Sequence, residues 1–113
     1  MKSIDIDIFR VDVAAYGIPG EYEWKTDYLE EVVLELENDH VGCQIEHPSG
    51  KKCEVLFDGK SRYTRRDLVD QIRNAYKKVC LDRGFENGFD ELKDLWVEGV
   101  CLVDKKLKLF VAM

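Results

Sequence analysis

Proline and histidine are scarce in this 113-residue chain, two of each, and no apolar run approaches the ~18 residues that span a bilayer. The shortage of proline, with no repeat or low-complexity tract, excludes a Pro-rich extended chain or linker. Two histidines and four cysteines without a Cys-x-x-Cys pair leave zinc-finger spacing unmet. No Ser/His/Asp or Cys/His spacing and no cofactor fingerprint is present, so nothing marks the chain as an enzyme. Met1-Lys2-Ser3-Ile4-Asp5 carries acid where a signal peptide needs an apolar run, which leads us to expect a soluble, cytoplasmic protein that makes no membrane contact.

What is present is a foldable composition and a lopsided charge. Hydrophobic residues at 45%, with 11% aromatics, exceed what a disordered chain carries although 35% of residues are charged. The length fits one compact domain over 1–113, large enough to bury roughly two-thirds of its unfolded surface. Between Lys60 and Arg83 there are eight Lys or Arg against three Asp, while the rest of the chain has nine against twenty, for a net charge of -6. A basic helix in an acidic body is expected to govern how the surface meets partners, without dictating fold. Cys43, Cys53, Cys80 and Cys101 each lie among apolar residues and read as reduced core residues.

Apolar alternation predicts most of the elements. Ile4, Ile6 and Ile8 alternate with Asp5 and Asp7, then the phase slips to Phe9, Val11 and Val13, which predicts a strand with a bulge near Ile8-Phe9. Gly17-Ile18-Pro19-Gly20 suits a type II turn, followed by a short extended segment with Tyr22 and Trp24 on one face. Residues 28–38 fit a helix behind an Asp27-x-x-Glu30 capping box or a strand with Val32, Leu34 and Leu36 alternating, and the reading inclines to strand. Val41 to His47 and Lys52 to Phe57 form a hairpin around Pro48-Ser49-Gly50, pairing Cys43 with Val55 and Ile45 with Cys53. That register sets Cys43 and Cys53 about 7 to 8 Å apart, too far for an unstrained disulfide.

Thr64 as N-cap, Asp67 three residues on, and an apolar arc of Leu68, Val69, Ile72, Ala75, Tyr76, Val79 and Cys80 predict a helix over about 64–83, stopped by Gly84. A second hairpin follows, Trp96 to Val103 and Lys106 to Met113 around Asp104-Lys105. It sets Trp96, Val100 and Leu102 against Leu107, Leu109, Val111 and Met113, with Gly99 opposite Phe110. The fold class is therefore α+β: an antiparallel sheet of about five to six strands, two hairpins among them, with one principal helix packed on one face.

Several clusters invite chemistry. Lys60, Arg62, Tyr63, Thr64, Arg65 and Arg66 crowd a helix start that already carries partial positive charge, so either Arg62, Thr64, Arg65 and Arg66 take an anion or the arginines pair with the chain's own carboxylates. The second alternative is the more ordinary one. Arg66, Arg73 and Lys77 form a stripe suited to a nucleic-acid backbone, though Asp70 lies among them and the chain is acidic overall.

Asp5 and Asp7, pointing the same way on a strand, would need a third ligand to hold a cation. His40, Cys43, His47 and Cys53 spread too far along their strands to converge on zinc, so no metal and no cofactor is expected. Glu98, between Trp96 and Val100, would suit acid or base work if covered. Tyr16, Tyr22, Trp24 and Tyr28 suit a ligand cleft or a partner's contact, with core packing the more ordinary role.

These features point to a small acidic protein-interaction module of inhibitor, antitoxin or immunity type. Its partner is a basic protein or a second copy, as in a homodimer, with Tyr22, Trp24, Arg73 and Lys77 as candidate contacts. The alternative is a nucleic acid or phosphate-bearing ligand at the basic helix start. An enzyme using Glu98 or the Asp5 and Asp7 pair stands behind both.

Overall fold

A computed structural model describes residues 2–11, 26–36, 41–45, 53–57, 59–82 and 95–112. Its strands are β1 (Lys2–Ser3), β2 (Phe9–Arg10), β3 (Val32–Glu35), β4 (Gly42–Ile45), β5 (Cys53–Leu56), β6 (Arg62–Thr64), β7 (Trp96–Val103) and β8 (Lys106–Ala112). The helices are α1 (Thr26–Glu30) and α2 (Arg65–Asp82). The architecture is α+β, with a six-stranded sheet in the order β1-β7-β8-β4-β5, β2 continuing the β1 edge along β7, and a separate two-stranded sheet of β3 and β6. Pairing is antiparallel except between β4 and β8, which run parallel with Cys43 beside Leu107. That parallel pair joins the two hairpins through residues far apart in sequence, where periodicity carries no signal.

The N-terminal edge bears out the slip in phase and enlarges it. Ser3 pairs with Cys101 and Phe9 with Val97, so five residues on the edge, 4–8, answer only three on β7. The segment loops out of the ladder, and Ile4, Phe9 and Val11 are buried while Ile8 is exposed. Asp5 and Asp7 thus lie off the ladder and do not share a strand face as expected.

The first hairpin has the expected register, Cys43 with Val55 and Ile45 with Cys53, and Cys43, Cys53 and Cys101 are thiols. Of the ambiguous stretch 28–38, the described residues 28–36 use both readings in turn, helix to Glu30 and strand over Val32–Glu35, while 37 and 38 lie outside the described residues. Asp27 falls inside the first turn of α1 and does not precede it as a cap would.

In the second hairpin Gly99 meets Phe110, Val100 meets Leu109 and Leu102 meets Leu107 as the alternation predicts. Nearer the start of β7 the register shifts, because Val97 pairs with Val111 and Glu98 is the extra residue. The bulge corrects one expectation, bringing Val97, in place of Trp96, to the buried face, and it leaves Glu98 exposed, without the cover that acid or base work there would require. The Asp104-Lys105 turn has φ of 50° and 64°, the two left-handed residues of a type I′ hairpin.

α2 matches its predicted extent and packs on one face of the main sheet. Leu68, Val69, Ile72, Ala75, Tyr76 and Val79 join Ile4, Phe9, Cys43, Ile45, Val97, Val100 and Leu107 in one core. Large side chains such as Tyr63, Tyr76 and Phe9 are fully buried, each stabilising the fold by on the order of 2 kcal/mol. The turn 17–20, the aromatics Tyr16, Tyr22 and Trp24, both histidines, the loop 48–50, Gly84 and Met113 lie outside the described residues, as does the Cys80 side chain.

Candidate functional site

The β6 strand runs straight into α2, which makes Arg65 the first residue of the helix and Thr64 its cap. The Asp67 amide donates to Thr64 Oγ1 at 3.1 Å, and the Thr64 amide donates to Asp67 Oδ2 at 3.0 Å. This is a reciprocal capping box with Asp in the usual Glu position. Lys60 Nζ reaches Asp67 Oδ1 at 3.3 Å. Partial burial raises the Asp67 pKa, but the Thr64 amide and Lys60 outweigh it and hold the carboxyl below its ordinary value.

Arg65 stands at the centre of the cluster, a guanidinium only 3% exposed. Its Nε donates to the Asp5 carbonyl at 2.8 Å and its Nη2 to Asp5 Oδ2 at 2.9 Å. Its Nη1 donates to the Tyr28 carbonyl and to Glu31 Oε2, both at 2.9 Å. The guanidinium carbon also lies 3.9 Å from the centroid of the Tyr28 ring. Burial by itself would lower the Arg65 pKa; the bonds and charges of Glu31, Tyr28 and Asp5 more than offset it, and the group stays cationic. Tyr28 is itself fixed from the far side, since the Asp7 amide donates to its hydroxyl at 2.8 Å. Burial pushes the Tyr28 hydroxyl above its ordinary pKa.

Three separate segments are thereby tied together: the looped-out residues 5–8, α1 with the start of β3, and the first turn of α2. The remaining cations of the helix start also meet carboxylates. Arg66 Nε lies 2.6 Å from Glu30 Oε1, and Arg62 Nη2 lies 3.4 Å from Glu35 Oε1. The electrostatic conflict of placing arginines at a helix N-terminus is relieved by acids supplied from the chain itself.

The acids are not consumed by this role. The Asp5 side chain remains 86% exposed and that of Glu31 62%, so each accepts from Arg65 on one side and faces water on the other. Asp7, Asp27, Glu30 and Glu35 are exposed as well, Glu30 and Glu35 as partners of the exposed Arg66 and Arg62.

Of the predicted partner contacts, Arg73 donates to the Arg10 carbonyl at 3.0 Å and lies 5.5 Å from the Phe9 ring, which turns it towards the core edge. Lys77 is half-buried on the same helix, and Tyr22 and Trp24 lie outside the described residues. No group of three or more metal-ligating side chains converges among the described residues. Burial pushes the Cys43 thiol up to about 12, which makes it a poor nucleophile at neutral pH.

Sequence reasoning found the crowded helix start but missed Tyr28 and Glu31 as its partners. The signal available was the broken local rule itself: cations at a helix N-terminus require nearby anions, and the Asp5, Asp7 and Glu30, Glu31 pairs were the acids in excess. No described helix is long and apolar enough to cross a membrane. No protein-family model matches the chain, and no curated protein or solved structure matches it at a significant level.

Proposed function

We propose that this chain is a protein-interaction module that meets a basic partner through the acidic surface gathered around Arg65. The observation that carries the reading is a buried arginine binding Asp5 and Glu31 while their carboxylates stay mostly exposed. Acids held in place from beneath lose little freedom when a second cation docks on them, so a partner's Lys or Arg gains contacts at reduced entropic cost. Charge complementarity of this kind also speeds encounter and rejects acidic competitors. Inhibitors, antitoxins and immunity proteins work in this manner, and a second copy of the chain is an alternative partner. Thiols at Cys43, Cys53 and Cys101 suit a reducing compartment such as the cytoplasm.

An anion at the helix start, through Arg62, Thr64, Arg65 and Arg66, has less support. The ligand would have to displace Glu35, Glu31, Asp5 and Glu30 from those arginines and compete with the cap at Thr64.

The test uses acids that do not touch Arg65. Immobilised wild-type protein and an Asp7→Asn, Asp27→Asn, Glu35→Gln variant are compared as baits at low and near-physiological salt, with sedimentation velocity on the same proteins for self-association. Retention of a defined basic protein by the wild type, lost in the variant and weakened by salt, is expected. Equal retention by both baits, with no salt-sensitive association of either kind, sinks the reading.

A further inference from the structure

α2 covers one face of the main sheet, and the opposite face carries a second, different set of groups. Arg10 and Trp96 are cross-strand partners, with the guanidinium carbon 4.8 Å from the Trp96 ring centroid. Among the described residues Arg10 Nε has no hydrogen-bond acceptor, and the contact that holds the guanidinium is the Trp96 ring. Trp96 pairs in turn with Ala112, two residues along β8 from Phe110, so both aromatics belong to this face.

Phe110 is placed by the residue opposite it. Gly99 has no side chain, and a Cβ built there would stand 3.5 Å from Phe110 Cδ2, so the ring lies over the β7 backbone. It remains 45% exposed, with Lys108 Nζ 5.7 Å from its centroid. Lys106 follows on the same face, 3.1 Å from Glu54.

We propose that this face is a platform for single-stranded nucleic acid, with bases stacking on Phe110 and beside Trp96 while Lys108 and Arg10 meet the phosphates. Flat aromatic surfaces flanked by cations suit a ligand that alternates π faces with negative charge, and such stacking tolerates any base. The two aromatic positions, diagonal on neighbouring strands, are about 7 Å apart, a distance that one nucleotide of a stretched strand can bridge. An apolar protein partner would gain little from the cations beside each ring. The inference goes beyond the acidic surface and uses none of its residues, so either reading can fail alone.

The test is fluorescence anisotropy with short labelled oligodeoxythymidine and oligouridine, and a duplex as comparison, over a range of salt. Wild-type protein is expected to bind the single strands at low salt and the duplex more weakly. Phe110→Ala and Phe110→Leu should each weaken binding about tenfold, while Phe110→Trp retains it. Lys108→Gln should lower the salt dependence by about 0.7 in log-log slope. Arg66→Gln, at the helix start, should change nothing. Thermal melts of each variant separate lost binding from lost folding, and substitution of the exposed Lys108 leaves the core untouched. Absence of single-strand binding at low salt overturns the proposal. So does equal affinity for duplex, retention by Phe110→Leu, or a loss confined to Arg66→Gln, which would move the ligand to the helix start.

Discussion

Arg65 lies 3.9 Å from the Tyr28 ring centroid and donates to that residue's own carbonyl at 2.9 Å, so one side chain grips the other's ring and backbone together. Removing the guanidinium leaves the Tyr28 and Asp5 carbonyls without their donor. Arg65→Ala should cost about 2–3 kcal/mol in urea unfolding. Arg65→Lys should recover only part of it, because a single ammonium cannot serve four acceptor atoms on two segments or stack as a plane. A lysine variant as stable as wild type would show that charge alone suffices.

Lys105 occupies the left-handed region at φ 64° without being glycine. The strain is relieved by Lys105→Gly, which preserves the turn type its neighbour Asp104 already favours. An increase in stability of about 1 kcal/mol is expected from the denaturant midpoint, and a decrease would mean the lysine side chain contributes contacts that outweigh its backbone.

The Asp67 carboxyl has its pKa depressed in the folded state, so its stabilisation is present above the unfolded carboxylate value, about 4, and is lost as pH falls through the lower folded value. Asp67→Asn should therefore cost about 1 kcal/mol at neutral pH. The gap between wild type and variant should narrow in acid, as measured by urea midpoints at neutral and strongly acidic pH. A gap that is constant with pH would assign the effect to the amide geometry and not to the charge.

Glu54 lies across Gly42 on its way to Lys106, and a Cβ at position 42 would meet Glu54 Cγ and Cδ at 3.0 Å. Gly42→Ala should push the carboxylate aside at a cost below about 1 kcal/mol, the scale of an exposed ion pair. In a double-mutant cycle with Lys106→Met, the coupling between 54 and 106 should vanish once alanine is present; persistent coupling would mean the side chain re-routes.

Local patterns in the sequence carried the hairpins, the principal helix and its cap, because turn residues and apolar period act within a few positions. Gly99 beneath Phe110 was legible for the same reason. The bulge at Glu98 was not, since an unbroken alternation through Trp96 fits the pattern equally well until both neighbouring strands are known. The parallel pairing of β4 with β8 and the meeting of Asp5, Tyr28, Glu31 and Arg65 depend on segments far apart in the chain. The sequence displayed an excess of acids and a crowd of arginines, without saying which would meet. Likewise Arg10 with Trp96, and Lys108 with Phe110, become aromatic-cation pairs only through strand register.

The position of β8 between β7 and β4 also sets an order of events during synthesis. The β4-β5 hairpin leaves the ribosome early yet has no sheet to join until Lys106–Ala112 has been made. Until then its inner edge stays open, and the late β7-β8 hairpin is the local unit on which the rest can assemble. A nascent chain halted before β8 would thus leave backbone N–H and C=O groups of β4 without their partner strand, and the whole chain should fold more slowly than its size alone suggests.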